Sequence, residues 1–232
     1  MPPTKQILFF LLRLALLAAL LLYPWNAVQR AYAGLFRAAG DVVFTRFWWS
    51  SEASVRFLDL RSRTLIDDID RVTVGTLPGG FAPPAPSGVY DTLLVLRNRE
   101  KPAVFGQLRV SSRALGYWPT AWIIALVLAR PMPWRRWGKA LLWGLVLANL
   151  FVVFRLTVKT AAGGFLIDKP YALDIWSGFW ASALQRLEEV VVQNPTASFV
   201  VPTFLWCLVS FTWQEWSALR NSLWGGREAR GM

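Results

Sequence analysis

Cys207, within "FLWCLVSF", is the only thiol of the chain, and there is no histidine. Nucleophilic catalysis by cysteine needs a thiolate with a base close by. A thiol in an apolar run, in a chain without imidazole, has neither, so Cys207 is read as packing. The missing imidazole also removes the commonest general base and the usual catalytic-zinc and haem ligands. A single cysteine forms no disulfide within the chain, even where a domain faces an oxidising compartment. The carboxylates of "DDID", Asp67, Asp68 and Asp70, could hold a divalent cation through oxygen. They lack the glycine and distal glutamate of a calcium loop and are read as an acidic turn before a strand. "TLPGG" reads as a turn, and no phosphate-cradling glycine loop or nucleophile elbow occurs. The expectation is no catalytic residue, no cofactor and no metal.

The other chemistry-bearing side chains are cationic. Arg13, Arg113, Arg155 and Lys159, with carboxylates from the outer loops, could serve a membrane enzyme or carrier acting on an anionic lipid at the outer leaflet. That reading needs a polar cavity among apolar segments that carry almost no polar residues to line one. A non-enzymatic accessory or assembly subunit needs only surfaces, and it is the expected function. Interface contacts of such a subunit favour aromatic and arginine anchors, and Trp48, Trp49, Arg113, Tyr117, Trp176 and Trp180 are the candidates. Headgroup anchoring is the competing role of each tryptophan.

The elements that must position these residues follow from composition. The 232 residues are 55% hydrophobic and include 14 Trp, with a mean hydropathy of +0.37. Charged residues make up 17%, against about a quarter in soluble domains, which points to lipid as the solvent. Four apolar segments read as spans: Ile7 to Trp25, Leu115 to Ala129, Ala140 to Phe154, and Phe199 to Trp213. The first is long enough for about 30 Å of hydrocarbon. The shorter ones are framed by Trp, Tyr, Arg or Lys able to sit at headgroup level. The first segment lacks a small-x-small cleavage site and is read as a retained anchor. Arg13, inside it, either snorkels to the headgroups or pairs with a neighbouring helix.

Lys5, the group Arg130, Arg135, Arg136 and Lys139, and the group Arg220, Arg227 and Arg230 fall on one face if the spans number four. The positive-inside rule makes that face cytoplasmic. Much of the net charge of +11 is this fringe, where each Lys or Arg near anionic lipid is worth about 1 kcal/mol. A nucleic-acid partner is therefore not expected. Arg56, Arg61, Arg63, Arg97, Arg99 and Arg109 of the first outer loop could instead meet outer headgroups or an acidic partner.

That loop begins with a short helix, Asn26 to Ala39. Period-2 alternation then predicts strands at Val42 to Phe47, Ser54 to Leu60, Arg71 to Leu77, Tyr90 to Asn98 and Val104 to Val110. "PGGFAPPAPSG", Pro78 to Gly88, is an exposed loop, and "NREKP" a hairpin-like turn. So small a sheet is marginal alone and is expected to rest on the membrane or a partner. In the second outer loop, Trp176, Trp180, Ala183, Leu187 and Val191 share one helical face, widened by Phe179 and Leu184. Pro170 and Asp174 suit its start and "QNP" its stop. It reads as an amphipathic helix in the outer interface, or as a partner-binding or lid helix.

The expected fold is thus an α+β integral membrane protein: about four transmembrane helices, a small antiparallel β-rich extracytoplasmic domain and an interfacial amphipathic helix. The divisions are an anchor (1–25), the β-rich domain (26–113), a helical pair around a basic cytoplasmic turn (114–158), a loop with the amphipathic helix (159–196), and a last span with a basic tail (197–232).

The run "SSRALGYWPTAWIIALVLARPMPWRRWGKALLWGL", Ser111 to Leu145, resembles part of the small accessory membrane proteins found with exosortases in bacteria. The shared elements are Arg113, Gly116, Tyr117 and Pro119, then Pro131, Pro133, Trp134, Arg135 and Arg136. Exosortases themselves use a Cys, an Arg and a His on membrane helices, a set this chain lacks. The resemblance implies a place in the bacterial inner membrane, beside such a transpeptidase, in handling C-terminally anchored surface proteins.

Overall fold

From Ile7 a mainly apolar run without Gly or Pro carries α1 (Pro3–Leu22), which stops before Pro24. The computed structural model describes residues 3–45, 53–62, 65, 67–69, 89–98, 105–164, 179–211 and 217. Its other elements are α2 (Asn26–Phe44), β1 (Ala53–Asp59), β2 (Thr92–Asn98), β3 (Phe105–Val110), a π-helical turn (Arg113–Tyr117) running into α3 (Trp118–Ala129), α4 (Trp134–Gly164), α5 (Phe179–Leu187) continued by a second π-helical stretch (Glu188–Gln193), and α6 (Ala197–Ser210). Two compact units result: Met1–Leu22 with Thr120–Ala148 and Val200–Met232, and Tyr23–Pro119 with Asn149–Phe199.

In the first unit the contacts are helix to helix. Phe10 stacks on Trp206 at 5.8 Å, and Trp122 donates its indole N–H to Thr203 Oγ1 at 2.9 Å. The basic turn after α3 closes on the end of α6: Arg130 and Arg136 both donate to the carbonyl of Ser210, and the Arg130 guanidinium lies 4.1 Å from the Phe211 ring centre. Cations on the last carbonyl of a helix satisfy an orphan acceptor and complement the dipole. Arg13 reaches back over the Phe9 ring at 5.1 Å, the direction in which helical side chains lean.

Length and composition support two of the four expected spans. α1 and α4 are long and apolar enough to cross a membrane, whereas Arg113–Ala129 and α6 are apolar but shorter. α4 also runs beyond the expected end at Phe154, because Leu156, Val158, Ala161 and Ala162 are buried and continue its packed face.

The second unit holds a three-stranded antiparallel sheet in the order β1-β2-β3, with Phe57 opposite Leu94 and Leu94 opposite Leu108. β2 is buried on both faces, which explains its unbroken "TLLVL". Leu94 and Leu96 join Val55, Phe57 and Val110 in a core completed by Phe36 and Phe44 of α2 and by Val152, Leu156 and Ala161 of α4. Leu93 and Val95 meet Leu60, Leu65 and Ile69 on the other face. The sheet is thus packed against helices of its own chain, α2 and α4.

Three of the five expected strands are present. Val42–Phe44 is helical, not extended: Ala33, Phe36, Gly40 and Phe44 form one buried stripe of α2, and that packing overrides local β propensity. Arg71 to Leu77, Pro78 to Gly88 and the turn at 99–104 lie outside the described residues.

α2 also covers an open edge. Asp41 Oδ1 accepts the backbone N–H of Phe57 at 3.0 Å, on the side of β1 turned away from β2. Burial raises the Asp41 pKa above the ordinary aspartate value, against the opposing effects of that hydrogen bond and of the Arg56 charge. A raised folded-state value means that Asp41 favours folding most below the ordinary aspartate range and less as pH rises through the raised value. Asp41→Asn keeps the acceptor and removes the charge, so its stability relative to wild type should grow between about pH 4 and pH 7. Asp41→Ala should cost about 1–3 kcal/mol at low pH, because the Phe57 N–H loses its partner, and less as pH rises and the buried charge offsets that bond. Thermal unfolding in detergent across that range measures both; a constant gap between wild type and Asp41→Asn would refute the burial effect.

Candidate functional site

The π turn Arg113–Tyr117 is where the second unit's polar features meet. Gly116 admits the Tyr32 side chain so closely that a Cβ there would stand 2.6 Å from its hydroxyl. Tyr117 meets the Tyr32 ring edge-on at 5.4 Å. Arg113 lies 5.5 Å from the Trp118 ring centre and lines a cleft of about 300 Å3.

The cleft is built from four separated pieces of chain. α2 supplies Asn26, Gln29, Arg30, Ala33 and Arg37 at helical spacing; Asp59 and Arg61 come from the end of β1, Val89 and Asp91 from the approach to β2, and Arg113 from the π turn. Four guanidiniums face two carboxylates, so the wall carries a net charge of +2. Both carboxylates are engaged by the protein. Asp59 pairs with Arg37 at 2.7 Å, and Asp91 accepts from Ser112 N–H (3.0 Å), Ser112 Oγ (2.6 Å) and Thr92 Oγ1 (3.0 Å). Gln29 Nε2 is buried, with no acceptor among the described residues. The chemistry on offer is anion recognition.

Behind the same π turn, Arg155 of α4 is 1% exposed. Its Nη1 donates to Ser198 Oγ at 2.7 Å, to Ala114 O at 3.1 Å and to Leu115 O at 3.4 Å; its Nη2 donates to Val192 O at 3.1 Å. Ser198 Oγ in turn donates to Ala114 O at 2.9 Å. Ala114 and Leu115 belong to the first π-helical turn and Val192 to the second. Widened turns break the regular hydrogen-bond ladder, and here the guanidinium gathers carbonyls from both. Lys159, one turn further along, pairs with Glu188 at 2.6 Å.

Of the six anchors expected from sequence, Arg113, Tyr117 and Trp180 are described; Trp48, Trp49 and Trp176 lie outside the described residues. Tyr117 is buried in the aromatic contact with Tyr32, whereas Trp180 is 63% exposed. The cations proposed for a lipid-handling site are engaged separately: Arg113 in the cleft, Arg155 among carbonyls, Lys159 on Glu188. Of the loop arginines, Arg61 lines the cleft; Arg56 and Arg109 are exposed on the outer strands. Arg30 and Arg37 carried no local signal beyond helical spacing.

α5 and its π-helical continuation have two sides. Leu184 and Val192 pack on the core, while Phe179, Trp180, Leu187 and Val190 are exposed. The single apolar face expected from spacing is thus divided: Leu184 packs inward while Phe179, Trp180 and Leu187 of the same α-helical segment stay exposed. The helix ends at Gln193, ahead of Pro195, where "QNP" predicted its stop. Among the described residues no group of His, Cys, Asp or Glu is placed to hold a metal ion.

In comparisons with known proteins, no family model matches this chain, and neither a curated sequence nor a solved structure shows significant similarity to it.

Proposed function

We propose that this chain is a non-enzymatic accessory or assembly subunit of a bacterial inner-membrane complex, acting beside an exosortase-type protein-sorting transpeptidase. In this reading it crosses the membrane four times, with both termini cytoplasmic and its sheet-bearing unit on the extracytoplasmic side. The two shorter apolar helices reach across with help from flanking Trp and Arg and from local thinning of the bilayer.

The observation that carries the reading is the exposed stripe on α5 and its continuation. Phe179, Trp180 and Val190 are 78%, 63% and 64% exposed, yet the helix beneath them is fixed by Leu184, Val192 and the Lys159–Glu188 pair. An apolar patch on a firmly seated element marks a contact surface.

A photo-crosslinking residue at Trp180, activated in native membranes, should capture a second membrane protein. Adducts only with lipid or with this chain itself would sink the subunit reading. Topology reporters joined after Val89 and after Trp134 should report opposite faces, and finding both on one face would remove the span arrangement.

A further inference from the structure

We infer that the arginine cleft of α2 is a binding site for the phosphate headgroup of an anionic phospholipid. The inference rests on the membrane reading above, and its first support is charge. Asp59 pairs with Arg37, Asp91 accepts from Ser112 and Thr92, and the arginine excess leaves the wall with a net positive charge. The donors suit a phosphate: the guanidiniums of Arg30 and Arg61, groups able to bind it as a fork, with the amides of Asn26 and Gln29 beside them. Gln29 Nε2 is buried without an acceptor among the described residues, a donor that a phosphate oxygen would satisfy. Asn26 opens α2 after a residue, Trp25, whose side chain does not cap the helix, and the positive end of the helix dipole favours an anion there. A volume of about 300 Å3 lies at the lower end for small-ligand sites, enough for a headgroup.

Covalent connection argues for a lipid as the source. The cleft takes Asn26, which follows the apolar α1 after only Tyr23, Pro24 and Trp25, and Arg113, the first residue of the apolar stretch Arg113–Ala129. Two cleft residues are thus joined by a few residues of chain to apolar helices, which in the membrane reading enter the bilayer near the headgroups. α2 also carries an apolar pocket of about 210 Å3 on its next face, where Tyr32, Phe36 and Val43 oppose Val152 and Leu156 of α4. That pocket suits part of an acyl chain.

The test uses the full chain in nonionic detergent, and in nanodiscs of phosphatidylcholine with or without phosphatidylglycerol. Native mass spectrometry should find phosphatidylglycerol retained over phosphatidylcholine, and Arg30→Gln/Arg61→Gln should lower that preference about tenfold. Both side chains are exposed, so the fold should survive. Arg30→Lys/Arg61→Lys should keep most of the preference, and Arg135→Gln/Lys139→Gln, on the basic turn, should lower it by clearly less than the cleft variant does. Equal retention by wild type and the glutamine variant overturns the site, as does an equal loss in the turn variant. Arginine-dependent binding of soluble glycerol 3-phosphate without preference for the lipid overturns the lipid source. A chain that stays folded and dispersed without detergent refutes the membrane reading instead, a result separate from any of these.

Discussion

Arg155→Met should destabilise the protein by about 3 kcal/mol or more, a large part of a typical folding margin. Methionine fills the volume and removes the burial cost of the charge. It leaves Ser198 Oγ and the carbonyls of Leu115 and Val192 without the guanidinium that joins them, while Ala114 O keeps the bond from Ser198 Oγ. Each buried acceptor stripped of its partner costs about 1–3 kcal/mol, and these sit in widened turns where regular helical bonding is already broken. Arg155→Lys should fare no better. It keeps the charge, but a compact ammonium on a shorter stem cannot reach both π stretches as the planar fork does. Ser198→Ala removes one acceptor and should cost about 1 kcal/mol. The check is thermal unfolding in detergent, with near-ultraviolet circular dichroism to follow the packing of Tyr117. If Arg155→Met melted within about 2 °C of wild type, the carbonyls would have to be satisfied without the guanidinium.

Phe57→Ala should cost about 3–5 kcal/mol. The ring is 4% exposed and sits between Phe36, edge-on at 6.2 Å, and Phe44 at 5.5 Å. Gly40 is the reason it fits: a Cβ there would stand 2.8 Å from two of the ring carbons. With Phe36 and Phe44 closing its other sides the ring has nowhere to retreat, so Gly40→Ala should itself cost about 1–3 kcal/mol. Combined with Phe57→Leu, the added methyl should be tolerated far better than alone. Additive effects in that double-mutant cycle would show that Gly40 does not act through the Phe57 ring.

The parts of this fold that could be read from sequence are those with a local signature. Alternation located the three paired strands, and "QNP" located the end of the helix that carries Trp180. Val42 to Phe47 misled because "VVFTRF" is β-branched and aromatic, while the signal that wins, Ala33-Phe36-Gly40-Phe44 on Phe57, is a contact between distant segments. The cleft was illegible for the same reason: Arg37, Asp59, Asp91 and Arg113 converge only through the tertiary fold. Arg155 could be noticed as a cation at the end of an apolar run. That it would collect carbonyls could not, because nothing in "RALGY" or "EEVVVQ" announces a π-helical turn.

Those two turns have a consequence for how the family of this chain can drift. Each accommodates surplus backbone in a helix, and the guanidinium of Arg155 gives that surplus its use. A descendant that lost the arginine alone would strand the carbonyls; one that shed the surplus residue alone would rotate the following side chains by about 100° and withdraw an acceptor from a buried cation. Only the joint change is tolerable, so length and cation should be inherited as one character.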